Sequence, residues 1–261
     1  MVKIEKLKVS GYDLSIMIIN LKNESIISIP TQIGCPINCN FCISAESDFI
    51  RNLTSQEMID AATLGVQHSE SNNIKLSFTG EGEPFLNVNS INTVITYLTD
   101  NCLVSAFRIC SSGIKPSLFS KISSTLPLEL QFSLHSPIDS VRKNLIPISK
   151  PIKEILSSLS KHSSNFNSIS INYVLMRDIN DREEDLLELS KIINKSWLIK
   201  LNPLLDDEKF NFSNHHDYFK ESLINSGHNV VVFNKIGSSI KNKVYDQLTY
   251  KRNSTMISKS F

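Results

Sequence analysis

No run of apolar residues in this 261-residue chain approaches the ~20 that a membrane-spanning helix needs. The opening segment, MVKIEKLKVSGYDLSIMIIN, breaks its short apolar runs with charge and so lacks the apolar centre of an export signal. A surplus of one charge is missing too. With 27 basic and 26 acidic residues the formal net charge is +1, whereas a dedicated nucleic-acid binder usually shows a clear basic excess. Internal repeats and long linkers are absent. Cysteine is scarce, five in all, and with no export signal the expected compartment is the reducing cytoplasm. There, clustered thiols point to metal binding or redox chemistry rather than to a disulfide framework. What is present is ordinary: 41% hydrophobic residues, enough for one large soluble domain or two small ones.

The first thirty residues read as short strands, KIEKLKVS, YDLSIMIIN and SIISIP. Beyond residue 50 strands and helices alternate. TSQEMIDAATLGVQ opens with a capping-box pattern, Thr54 or Ser55 followed by Glu57, and spaces its apolar residues as a helix does. The strands IKLSFTG, AFRICSSG, LELQFSLH, SISINYVLM, WLIKLNP and NVVVF are separated by the helical patterns VNSINTVITYLTD, KPSLFSKIS, DSVRKNL with IKEILSSLSKH, DREEDLLELSKIIN and YFKESLINSG. SSIKNKVYDQLTYKR reads as a final helix. Such alternation predicts an α/β fold with a parallel sheet and right-handed crossovers. Its length suits a partial (β/α)6 TIM-like barrel over residues 31–235, between an N-terminal β extension (1–30) and a C-terminal helix and tail (236–261). Polar residues recur where strands should end: Gly80 to Glu83, Ser111 to Gly113, Ser133 to His135, and Asn202. In parallel α/β folds that rim is where ligands bind.

Three of the five cysteines fall in the stretch PTQIGCPINCNFC. Cys35, Cys39 and Cys42 have the spacing C-x3-C-x2-C. A structural zinc site closes its tetrahedron with four ligands, commonly in separated C-x2-C pairs. A cubane iron–sulfur cluster has four irons, so three cysteines leave one iron open for a substrate or cofactor. Gly34 and Pro36 suit a loop that curls round a compact cluster, and Phe41 could shield one face or help seat a nucleoside. The competing readings are zinc, completed by Cys102, Cys110 or a histidine, and plain buried thiols. Cys102 and Cys110 themselves are expected to pack as core residues.

The cysteine spacing resembles that of the radical S-adenosylmethionine (radical SAM) enzymes. That resemblance implies a [4Fe–4S] cluster whose open iron is chelated by S-adenosyl-L-methionine, with reduction by flavodoxin or ferredoxin. Within the superfamily, the motif order from about Ser28 to about Leu248 is similar to the RlmN/Cfr family, which methylates an adenine of 23S ribosomal RNA. The segments that carry it are TQIGCPINCNFC with FIRNLTSQEMI, GEGEPFLN, SSGIKP, SLHSPIDSVRKNLIPI and LIKLNP. The resemblance implies Cys35, Cys39 and Cys42 as cluster ligands and Gly82, Glu83, Ser112, Ser133, Leu134, His135 and Asn202 as the SAM-contacting set. Glu83 would accept from the SAM ammonium, the two serines would face its carboxylate or ribose, and Asn202 would meet the adenosine.

The resemblance also implies two further cysteines for methyl transfer. Their positions hold Ser28 and, depending on a one-residue gap, Val244 or Tyr245, none of which can act as a thiolate. The family's separate N-terminal domain has no counterpart ahead of the barrel. Together with the balanced charge, these departures set the expectation: a radical SAM enzyme that abstracts hydrogen from a small metabolite, with RNA disfavoured as a partner. No side chain is singled out as catalytic, and Tyr245 reads as an ordinary helix residue. Two alternatives stand beside it. One is an RNA adenine methyltransferase using a different methyl-transfer route, with Lys241, Lys243, Lys251 and Arg252 facing RNA. The other is a non-catalytic sensor that binds SAM and a cluster.

Overall fold

The computed structural model describes residues 3–12, 14–46, 48–204 and 210–233. The expected C-terminal helix, with Lys241, Lys243, Val244, Tyr245, Lys251 and Arg252, lies outside the described residues.

One nine-stranded sheet organises the molecule, in the order β1-β2-β3-β6-β7-β8-β9-β10-β11. β1 (Lys3–Lys8), β2 (Ser15–Asn20) and β3 (Ser25–Ile29) form an antiparallel meander. From β3 onward every neighbour is parallel: β6 (Ile74–Phe78), β7 (Ala106–Ser111), β8 (Leu128–Ser133), β9 (Ser168–Leu175), β10 (Leu198–Pro203) and β11 (Asn229–Val232). β3, placed by the sequence with the N-terminal β segment, is thus the first strand of the parallel set. The sheet does not close, since β1 and β11 stand at its two edges. The result is the α/β partial barrel the sequence predicts. β4 (Gln32–Ile33) and β5 (Arg51–Asn52) make a separate short hairpin that brackets the cysteine loop.

Helices α1 (Ser55–Gln67), α2 (Val88–Asp100), α3 (Asp139–Leu145), α4 (Ile152–Lys161), α5 (Glu183–Ile192) and α6 (His216–Asn225) connect the parallel strands. Between β7 and β8 the expected short helix is a 3-10 segment, Pro116–Lys121. Burial alternates along the strands as a two-residue period demands. Leu76, Phe78, Phe107, Ile109, Leu130, Phe132, Ile171 and Leu201 are buried in the core shared with the helices. The residues between them are polar. Lys75 and Arg108 both pair with Glu129 at 2.8 Å, and Lys200 Nζ donates to Gln131 at 2.8 Å. Cys110 belongs to this polar row, beside Ser77 and Thr79, rather than to the apolar core expected for it. Cys102 is a second correction. It is exposed at a positive φ of 52° in the turn after α2, where apolar spacing ends and a small residue fits.

Candidate functional site

The carboxyl ends of the parallel strands and the cysteine loop share one face. The loop leaves β4 through Gly34, whose φ is +74° and whose missing Cβ would lie 2.1 Å from the carbonyl oxygen of Asp48. Only glycine allows that turn and that approach. The Gly34 N–H donates to Glu81 Oε1 at 2.9 Å. Within the loop, Cys42 N–H donates to the Cys39 carbonyl at 2.9 Å. Asn40 anchors it to the end of α3 through the carbonyls of Leu145 (2.9 Å) and Asn144.

Cys35, Cys39 and Cys42 are all unpaired and half-buried. Cys35, Cys39 and Phe41 pack on a small apolar cluster of Ile37, Ile114, Leu145, Ile146, Met176 and Leu204. Burial is the main cause pushing the Cys35 thiol up to about 11 and the Cys39 thiol well above its ordinary value. Both are protonated at neutral pH, so a metal group must displace those protons on binding. Among the described residues, no three His, Cys, Asp or Glu side chains gather closely enough to hold a single metal ion. Three thiols on one loop match the thiolate ligation of a cubane cluster. The donor set fits a three-thiolate [4Fe–4S] cluster.

At the end of β6 the chain turns through Gly82, φ +99°, against Gln32 and Thr31. Glu83 follows, 3% exposed. Its N–H donates to Gln32 Oε1 at 2.8 Å. One carboxyl oxygen accepts from Ser111 Oγ at 2.5 Å, and the other from the N–H (2.8 Å) and Oγ (2.7 Å) of Ser112. Burial raises the Glu83 pKa, and the serine bonds work in the opposite direction. The strand ends of β6 and β7 are therefore tied by a fixed carboxyl group with hydroxyls around it, suited to an ammonium.

Ser133, Leu134 and His135 close β8. Ser133 is half-buried, while Leu134 and His135 are buried. His135 has a positive φ of 57°. Its Nδ1 accepts from the Val174 N–H at 3.1 Å, and its carbonyl accepts from Asn180 Nδ2 at 2.6 Å. Phe41 of the cysteine loop meets the imidazole edge-on, with centroids 4.8 Å apart. Burial, aided by the Arg142 charge, lowers the ring's pKa to about 3. The imidazole is neutral, with Nε2 as its donor.

The structure brings Glu83 and Ser112 into direct contact, and Arg142 joins the carbonyls of Ser112, Ser133 and Leu134. Asn202 stands apart from that group. Its Nδ2 donates to Asn172 and to the Lys200 carbonyl (3.0 Å). Asn172 sits opposite Ser133 in the sheet register, so Asn202 continues the rim toward β10.

The sequence reading missed Arg142 and the partners Gln32, Asn180 and Thr31. Arg142 had a signal, since three-residue spacing puts it on the same face of α3 as Leu145, and both are buried. Gln32 and Asn180 had none, because their roles depend on segments distant in sequence.

No protein-family model matches the chain. A probable dual-specificity RNA methyltransferase RlmN from Thermotoga petrophila is 31% identical over 236 residues, covering 86% of this chain and 68% of the relative. The dual-specificity RNA methyltransferase RlmN of Wigglesworthia glossinidia brevipalpis is 31% identical over 258 residues, covering 90% and 67%. The chain thus spans about two thirds of the length of these relatives. Among solved structures, a radical SAM methyltransferase from Sphaerobacter thermophilus superposes with a TM-score of 0.74 at 19% identity, over 89% of this chain and 76% of that one. Streptococcus suis SuiB bound to S-adenosylmethionine gives 0.59 at 14% identity, over 83% and 52%. At such low identities these two support the fold.

The relatives overturn one expectation, that of a small-metabolite substrate with RNA disfavoured. Both are RNA methyltransferases, and the argument from net charge was too coarse. A whole-chain sum hides local patches, and the exposed Lys115, Lys143, Lys150 and Arg177 all lie on segments that follow the ends of β7, β8 and β9. A barrel whose strand ends carry a three-cysteine loop and a serine-held glutamate, and which is 31% identical to such a relative over 236 residues, is an enzyme chain that belongs to the RlmN family of radical SAM enzymes.

Proposed function

We propose that this chain binds RNA and modifies an adenine by radical SAM methyl transfer, along a route that does not use the family's paired cysteines. The observation that carries this reading is the 31% identity over 236 residues to an RNA methyltransferase. The exposed cations beside the strand ends support it, because phosphate contacts dominate the affinity of a polyanion. When bound, the cluster and SAM supply one-electron cleavage of the sulfonium.

This chain's residues do the positioning. Cys35, Cys39 and Cys42 hold the cluster. Glu83, with its orientation fixed by Ser111 and Ser112, offers a negative charge to the SAM ammonium, and Gly82 lets the adjoining backbone turn closely against Gln32 and Thr31. His135 presents a neutral N–H against the Phe41 wall. Asn202 and Asn172 extend the rim with amides that suit a nucleoside. Ser28 is buried in β3 and cannot serve as a thiol, so methyl transfer must bypass that position.

The test is anaerobically reconstituted protein with reductant, RNA and SAM labelled on its methyl group. The reading predicts label in RNA adenine, with binding that weakens steeply as salt rises. Label that never enters RNA while SAM is consumed would reject methyl transfer.

A further inference from the structure

Arg142 is the largest fully buried side chain among the described residues. Its Nε donates to the Leu134 carbonyl at 3.0 Å, and Nη2 to the carbonyls of Ser112 (2.6 Å) and Ser133 (3.2 Å). The guanidinium carbon lies 5.4 Å from the centre of the Phe132 ring. These hydrogen-bond partners are carbonyls, not a carboxylate. Nη1 is buried with no partner. A guanidinium removed from water with one nitrogen unbonded is costly unless an acceptor arrives. The three carbonyls come from the ends of β7 and β8, and the β7 end also holds Glu83. Asn40 of the cysteine loop donates to the Leu145 carbonyl at the end of α3, so the guanidinium lies within electrostatic reach of Cys39 as well as of Asp139 and Glu83. Glu83 is bonded to Ser111 and Ser112, and Asp139 accepts from the Ile152 N–H. That leaves the thiol side of the site as the place where negative charge is still to come.

We propose that Arg142 is a positioning residue that pins the β7 and β8 ends and supplies the buried counter-charge of a cluster held by Cys35, Cys39 and Cys42. This rests on the cluster reading above. A cluster carried by three thiolates is anionic and becomes more so on reduction. A fixed positive charge beside it favours the reduced form and raises its potential. A clip that only joined two strands would need its hydrogen bonds but not its charge.

The experiment loads wild type, R142K, R142Q and R142M with iron and sulfide anaerobically. It measures thermal unfolding before loading, iron content, and the cluster's midpoint potential without SAM. A wild type that takes up no reducible cluster would reject the cluster reading itself, separately from the Arg142 assignment. Given a loaded wild type, R142Q and R142M are expected to shift the potential to more negative values, and R142K much less. Equal shifts in R142K and R142Q, no shift in either neutral variant, or a shift seen only once SAM is added would overturn the proposal. So would failure of both neutral variants to fold before loading, which would assign the charge to the fold alone.

Discussion

Glu83 shows how one side chain can be specified by its surroundings. Both carboxyl oxygens accept from serine groups, and the Ser112 N–H points at one of them. Replacing Glu83 by Gln would set an amide NH2 against donors and remove the charge. Hydrogen bonds to charged groups contribute about 1.5–3 kcal/mol, so E83Q should weaken SAM binding roughly ten- to a hundredfold while leaving the fold intact. Titration calorimetry on the cluster-loaded protein reads this, and unchanged affinity would remove Glu83 from the site. Gly82→Ala acts through the backbone instead. Its Cβ would lie 2.7 Å from Gln32 Cβ at a φ of +99°, so a loss of about 1–3 kcal/mol in urea unfolding is expected. His135 supplies a pH signature. Its ring is neutral in the fold with a pKa near 3, while in the unfolded chain it titrates near 6.5. Between those values the unfolded state binds the extra proton. Stability from this residue is therefore whole above about pH 6.5 and declines toward pH 3, by up to about 1.4 kcal/mol per pH unit. H135N, which tolerates the positive φ, should flatten that slope in denaturation curves recorded across the range.

Among the elements, α1 was the most legible. Thr54 Oγ1 accepts from the Glu57 N–H at 3.2 Å, and Glu57 Oε2 accepts from the Thr54 N–H at 2.8 Å, the reciprocal bonds the pattern predicts. Thr54→Ala should cost about 1 kcal/mol by thermal or chemical unfolding. Glu57 also pairs with Arg51 at 2.6 Å. This guanidinium, more than the cap bonds, holds the carboxyl at about 2, well below its usual range. The stability it adds is present above about pH 4.5 and fades as pH falls toward 2, so E57Q should lose less than the wild type on acidification. α2 and α4 to α6 were legible from their apolar periodicity, which agrees with the faces they bury, although no side chain caps the start of α2, α4 or α6. The 3-10 turn at Pro116–Lys121 was not: a pattern six residues long cannot distinguish 3-10 from α. α3 was found as a helix, but the role of Arg142 on it was not, because the carbonyls that bury its side chain come from strand ends that the sequence cannot bring together.

At the scale of the whole molecule, strand–helix alternation was enough to reach the barrel. The polar residues at predicted strand ends lie on the face that carries the cysteine loop, which is the candidate site. Contacts across the face were not readable, because Gln32 with Glu83, Phe41 with His135, and Asn180 with His135 join segments 45 to 94 residues apart. The expectation that disfavoured RNA rested on a global charge sum, which hides the exposed Lys115, Lys143, Lys150 and Arg177 on segments that follow the strand ends. One measurement tests the account most directly: 5′-deoxyadenosine formed by the anaerobically reconstituted wild-type protein with reductant and SAM, with either RNA or a low-molecular-weight extract of the same cells added. The account predicts that product rises with RNA, fades as salt is raised, and stays at background with the extract. Product that rises with the small-molecule extract and ignores RNA would contradict it.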